Sequence, residues 1–258
     1  MISKAGKEFS ASNYHSETVI GEFSGRDSVA AIMKAFEDAS IRYILPIATF
    51  AGTEYGDFDV LYGNYEKLLK IVHMRYGDEK TVYPLLEYSN MDIWGLMNGR
   101  QMVRVVEKYG FMSPCIGCHL YFHLTKLPFA MALSGRIISG ERESHDGRIK
   151  VNQLGQSLDS YQKVIDQCGG ELMMPIRNLE NGDAVEELIG WDWQEGKDHP
   201  KCVLSGNYRD ASGQAIFDEE KLAAYLQDYL EPFGLAVGRY LTEKGDDFSA
   251  LREEVLKL

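Results

Sequence analysis

The chain has no run of apolar residues approaching the roughly eighteen that a membrane-spanning helix needs. Its first twenty residues, MISKAGKEFSASNYHSETVI, lack the unbroken apolar stretch of a secretory signal, so a cytoplasmic protein with no membrane partner is expected. Positive charge is scarce. The 27 Lys and Arg stand against 39 Asp and Glu, a formal net charge of -12, which excludes a whole-molecule field that gathers nucleic-acid phosphates. Four cysteines are too few for a disulfide framework in a chain of 258 residues, and in a reducing compartment they point to metal binding or catalysis. Seven prolines and 11% aromatics argue against a low-complexity or disordered chain.

Hydrophobic periodicity then sets the organisation. Residues 1–17 are polar and aperiodic, as in a flexible leader. A short β-branched run at 18–23, a Ser-Gly break, the helical spacing of Val29, Ile32, Met33 and Phe36, and an apolar run at 43–50 predict a βαβ unit. Such a unit implies parallel pairing and a right-handed crossover. Helices are expected over 62–76, 91–109, 116–133 and 161–167, and short strands at 82–86, 136–139 and 172–176. The reading is an α/β fold with a parallel, Rossmann-like sheet over 18–210. Residues 211–258 are expected as a C-terminal helical appendage.

One turn carries phosphate chemistry. Ser24-Gly25-Arg26-Asp27-Ser28 follows the first strand and opens a helix, so its backbone N–H groups and the positive end of the helix dipole converge on one spot. Gly25 permits close approach of a ligand, and Ser24 and Ser28 offer hydroxyls. Arg26 adds charge, and Asp27 can hold Mg2+ or orient a pyrophosphate. An ordinary capped helix start uses the same residue types. A second polar loop follows a later strand, from Ile138 to Asp146, with Gly140 and Arg142 as candidate phosphate contacts; a solvated turn is the plainer account of it.

The cysteines form the second constellation. Cys115-Ile116-Gly117-Cys118 brings two thiols three residues apart to one side of a helix start, and Cys202 supplies a third from a distant loop. Cys168 reads as a packing residue. Zinc held by the three cysteines with His119, His123 or His199 is one reading, and a redox-active thiol pair is another. The CxxCH spelling of Cys115 to His119 also matches c-type haem attachment, which normally follows export. His119 and His123, four apart, share a helix face, where packed histidines are the commoner outcome. Trp191 and Trp193 are expected to pack near the Cys202 loop.

The segment GEFSGRDSVAAI resembles the PP-loop of the adenine nucleotide alpha hydrolase-like superfamily, with one glycine fewer than that family's Ser-Gly-Gly-x-Asp-Ser signature. The resemblance implies cleavage of ATP between the α and β phosphates and transfer of AMP to a substrate. With Cys115, Cys118 and Cys202 in the order CxxC then lone Cys, the chain also resembles the iron-sulfur-dependent tRNA thiolation enzymes. That resemblance implies a 4Fe-4S cluster on those three cysteines. It further implies a sulfurtransferase that adenylates a substrate oxygen and replaces it with sulfur, with Asp27 and Cys202 as the residues carrying the chemistry. The substrate would be tRNA or a small metabolite, served by a sulfur donor, and a homodimer is left open. Two rivals stand beside it: an adenylating amidoligase with structural zinc, and a non-catalytic adenine nucleotide-binding regulator.

Overall fold

A computed structural model describes residues 9–111, 113–143, 145–194, 197–243 and 247–258. The expectations for residues 1–8 of the leader and for Ser144 lie outside the described residues. Strand β1 (Val19–Glu22), helix α1 (Arg26–Ala35) and strand β2 (Tyr43–Ala48) form the first βαβ unit, with Val19 to Glu22 in parallel register with Ile44 to Ile47. Both strands are almost wholly buried, which is why they read as continuous apolar runs rather than alternating ones.

The chain then crosses to one side through β3 (Glu54–Tyr55), α2 (Val60–Tyr76), β4 (Thr81–Val82) and β5 (Leu86–Glu87). It returns through α3 (Met91–Asn98), α4 (Met102–Tyr109) and α5 (Pro114–Met131) to β6 (Arg136–Ile138), α6 (Gly155–Gln167) and β7 (Glu171–Met173). The resulting parallel sheet has the order β4-β2-β1-β6-β7, with β5 also on β2. Strand order therefore reverses between β1 and β6. In open parallel sheets a ligand crevice forms at such a reversal, outside the carboxyl ends of the strands.

Several boundaries differ from expectation for local reasons. The single strand expected at 82–86 is two short pairings on β2, with Pro84, which has no N–H to donate, between them. The helix expected over 91–109 breaks at Gly99, where Gly99 and Arg100 both donate to Gly95 O. Helix α6 starts earlier, at Gly155. Helix α7 (Gly182–Ile189) was not expected; Asn181 caps it by accepting from Ala184 N, and Val185 and Ile189 are buried in the cluster that also holds α1.

Helices cover both faces of the sheet. Apolar residues of α1, α2 and α7 fill one side, and those of α3, α5, α6 and the C-terminal helices fill the other. The C-terminal part comprises α8 (Glu219–Tyr225), a π-helical segment at Leu226–Leu230, α9 (Glu231–Thr242) and α10 (Phe248–Val255). The segment expected as a C-terminal helical appendage is helical; its α9 packs on α5 and α6, and Leu222, Tyr225, Phe233 and Val237 are buried in the same core. Residues 9–17, expected as leader, also dock: the Phe9 ring lies 4.9 Å from that of Phe129, and Tyr14 packs edge-on to Tyr83. No helix among the described residues is long and apolar enough to cross a membrane.

Candidate functional site

The Ser24 to Ser28 turn sits at the carboxyl end of β1. Ser28 Oγ accepts from Ser24 N at 3.0 Å and Gly25 N at 3.1 Å and donates to Gly25 O at 2.7 Å, so one hydroxyl winds the turn onto the first residues of α1. This is the capping chemistry that the sequence suggested, with the cap hydroxyl inside the helix rather than before it. The turn lines a cavity of about 700 Å³.

The second loop closes over the same place. Gly140 lines the cavity and lies against the first turn of α1. Arg142 does not reach the cavity wall. It is 1% exposed and stands behind Asp27, its Nε 3.7 Å from Asp27 Oδ2, while Arg26 Nε lies 3.5 Å from Asp27 Oδ1. Asp27 is thus flanked by two guanidinium groups. Neither Nε nor Nη1 of Arg142 has a hydrogen-bond partner among the described residues, so a buried cation with unspent donors underlies the turn.

Three cysteines line the cavity: Cys115 and Cys118 from the first turns of α5, and Cys202 from β8 (Lys201–Cys202). Pro114, well suited to the first helical position, starts α5. Gly117 lets α3 come close, since a Cβ there would stand 2.4 Å from Asn98 Oδ1. Cys118 Sγ accepts from Trp94 Nε1 at 3.4 Å, and Cys115 Sγ lies 3.5 Å from Asn207 Oδ1. Cys202 faces Glu54 across the antiparallel β3–β8 pair, with its sulfur 3.3 Å from Thr53 Oγ1. Burial pushes the Cys115 and Cys118 thiols up from their ordinary range. Among the described residues no group of three or more His, Cys, Asp and Glu stands together closely enough to hold a metal ion. The donor chemistry nevertheless suits a sulfur-ligated centre, because three thiols open on one space. Cys168 ends α6 beside Gly238 and does not line the cavity. Trp193 and His199 do line it.

Below the cysteines lies a polar network that sequence reasoning did not assemble. His119 Nδ1 lies 2.6 Å from Glu141 Oε1, and Asn152 Nδ2 lies 2.9 Å from His119 Nε2. His123 is fully buried and bridges two carboxylates. Its Nδ1 lies 2.7 Å from Glu22 Oε1, and its Nε2 lies 3.3 Å from Glu141 Oε1, an ion-pair approach off the line of a hydrogen bond. Burial opposes the charged ring, but Glu22 first and then Glu141 outweigh it and raise the His123 pKa to about 9. Burial likewise opposes ionisation of Glu141, yet His119 and His123 hold its carboxyl well below the usual range. Lys126, also buried, donates to Thr49 Oγ1 at 2.9 Å and Phe122 O at 2.9 Å, and burial lowers its pKa to about 8. Burial raises Glu54 to about 6.

A signal for this network was present on α5. Cys115, Cys118, His119, His123 and Lys126 recur at spacings of three and four in an otherwise apolar helix, which puts them on one face. The pairing of His119 and His123 was visible, but their partners Glu22 and Glu141 lie 101 and 22 residues away along the chain from the histidines they meet.

No family model matches the chain. It is 40% identical over 221 residues to the uncharacterized protein MJ0009 of Methanocaldococcus jannaschii, a match that covers 86% of this chain and 79% of that protein.

Proposed function

We propose that this chain, which belongs to the same family as the Methanocaldococcus jannaschii protein, has a PP-loop type fold and acts as an AMP-forming, ATP-dependent sulfur transferase. One observation carries the reading: the phosphate-type turn Ser24 to Ser28 and the three cysteines Cys115, Cys118 and Cys202 open on a single cavity at the strand-order reversal. In this reading the backbone of the turn and the N-terminus of α1 hold the phosphates of ATP with Mg2+. A substrate oxygen attacks the α-phosphorus, the new O–P bond forms as the bond to pyrophosphate breaks, and the oxygen becomes an AMP ester. Sulfide sulfur from a donor then bonds to the activated carbon as AMP leaves with that oxygen.

Cys115, Cys118 and Cys202 would hold the iron-sulfur cluster, which when bound supplies a thiophilic iron for the sulfur to be delivered. The walls of the cavity orient the substrate, and burial of its floor excludes water from the activated ester. The substrate is tRNA or a small metabolite, and a homodimer is compatible with either. Cytoplasmic residence suits both the demand for ATP and free thiols.

His199 lines the same cavity, which favours one second reading: a zinc-bearing, adenylating amidoligase. Anaerobic purification followed by iron, sulfide and zinc analysis tests both. Iron with labile sulfide is expected, and it is lost in Cys115→Ser, Cys118→Ser and Cys202→Ser but kept in Cys168→Ser. Zinc without iron in the parent protein transfers the assignment to the ligase.

A further inference from the structure

The cavity has a floor rich in hydrogen-bond acceptors. Glu22 ends β1 and Glu141 follows β6, so both carboxylates lie at the carboxyl ends of the two strands between which the order reverses. Both line the cavity. Glu22 uses one oxygen on its neighbours: Oε1 accepts from His123 and lies 3.9 Å from Lys126 Nζ. Among the described residues its Oε2 has no hydrogen-bond partner.

Gln153, 5% exposed and also on the cavity wall, is the second acceptor. Its Nε2 donates to Glu141 Oε2 at 2.7 Å. A carboxylate accepts and cannot donate, so this bond fixes which way the amide points. Oε1 of Gln153 is thereby left buried with no partner among the described residues. A buried acceptor without a donor is costly, and a ligand N–H relieves the cost.

Charge on the floor decides what kind of N–H fits. The carboxylates of Glu22 and Glu141 face the His123 imidazolium and the Lys126 ammonium, and the His119 ring and the Glu54 carboxyl stand on the same wall, so neither sign of charge dominates the floor. A cation gains little from such a floor, and a substrate carboxylate would meet the lone pairs of Glu22. A neutral donor meets neither difficulty.

We propose that this floor is a subsite for an uncharged N–H-donating group of the substrate, an amide rather than a carboxylate, with Glu22 Oε2 and Gln153 Oε1 as its acceptors. The inference rests on the reading of the cavity as an adenylating site and names the chemical group whose oxygen that site selects.

Three probes that share one ring test it: benzamide, N,N-dimethylbenzamide and benzoate. Their affinities for the full chain are measured by ligand-observed NMR with AMP present, beside the affinity for ATP. Benzamide is expected to bind at least about tenfold tighter than either of the others, a single hydrogen-bonded group's worth of discrimination. In Glu22→Gln the preference should move to benzoate. His123 requires an oxygen at the Oε1 position, so the new NH2 group takes the place of Oε2 and faces the cavity as a donor. Gln153→Leu changes no charge and should weaken benzamide while leaving benzoate unchanged, which keeps the test standing if Glu22→Gln does not fold. Equal affinities for the three probes, no binding of any probe, or an unchanged preference in folded variants overturns the subsite. A chain that prefers benzamide but does not bind ATP supports the subsite and overturns the adenylation reading.

Discussion

A Cβ on Gly140 would stand 2.5 Å from the backbone nitrogen of Ser28. The loop after β6 is therefore pressed against the first turn of α1, and only a residue without a side chain fits the seam. Its neighbours are backbone atoms and cannot swing aside. Gly140→Ala is expected to destabilise the protein by about 1–3 kcal/mol, the usual cost of overpacking, and to weaken ATP binding by parting the two loops. Urea denaturation and titration calorimetry with ATP check the two effects separately.

Asp27 stands between Arg26 and Arg142, with Arg142 the buried member. Removing the carboxylate leaves that guanidinium without its counter-charge, so Asp27→Ala should lose stability, by up to about 3–5 kcal/mol if the pair behaves as a closely packed one. If Asp27 works with Mg2+, affinity for Mg2+-ATP falls in the variant. A rise in ATP affinity would instead mean that Asp27 only offsets the arginines.

His123 makes stability depend on pH at the alkaline end. Its folded pKa, raised to about 9, lies above the ordinary value of 6.5. The stabilisation is thus fully present below pH 6.5 and is lost as pH rises through about 9. Its size is on the order of 3 kcal/mol. His123→Gln should be markedly less stable than the parent at pH 6 and should approach it near pH 10, as measured by chemical denaturation at both values.

Glu54 acts in the other direction. Burial raises its carboxyl from 4.5 to about 6, so the folded state favours the protonated acid. That contribution is complete below pH 4.5 and disappears as pH rises through about 6, leaving a strained carboxylate at neutral pH. Glu54→Gln, which keeps an oxygen for Ala51 N, should raise stability by up to about 2 kcal/mol at pH 7.5 and by nothing at pH 4. Melting curves at the two pH values decide it.

The elements that were legible in the sequence are those whose cause is local. The β-branched run before Ser24 reads as a strand because both its faces are buried, and the Ser-Gly turn reads as a helix start because Ser28 supplies the cap oxygen. Helix α5, expected from 116, begins two residues earlier at Pro114, which suits the first helical position. Helix α7 escaped notice because its Asn-Gly-Asp start resembles a loop, and what stabilises it is burial of Val185 and Ile189 beside α1. Arg142 was expected to meet phosphate, but no local pattern indicates that a loop folds under α1 and buries its guanidinium.

Sequence alone determined the alternation of strand and helix, the place of the Ser24 to Ser28 turn, and the presence of two thiols one helical turn apart, since each depends on neighbours within a few residues. Tertiary structure decided what those groups face. Cys202 meets Thr53 across 149 residues and His123 meets Glu22 across 101. The first pair arises from the antiparallel pairing of β3 with β8, and the second only when the parallel sheet brings the end of β1 under α5. Whether a histidine on an apolar helix is a packed ring or a buried cation is set there, by the carboxylates that the fold delivers to it.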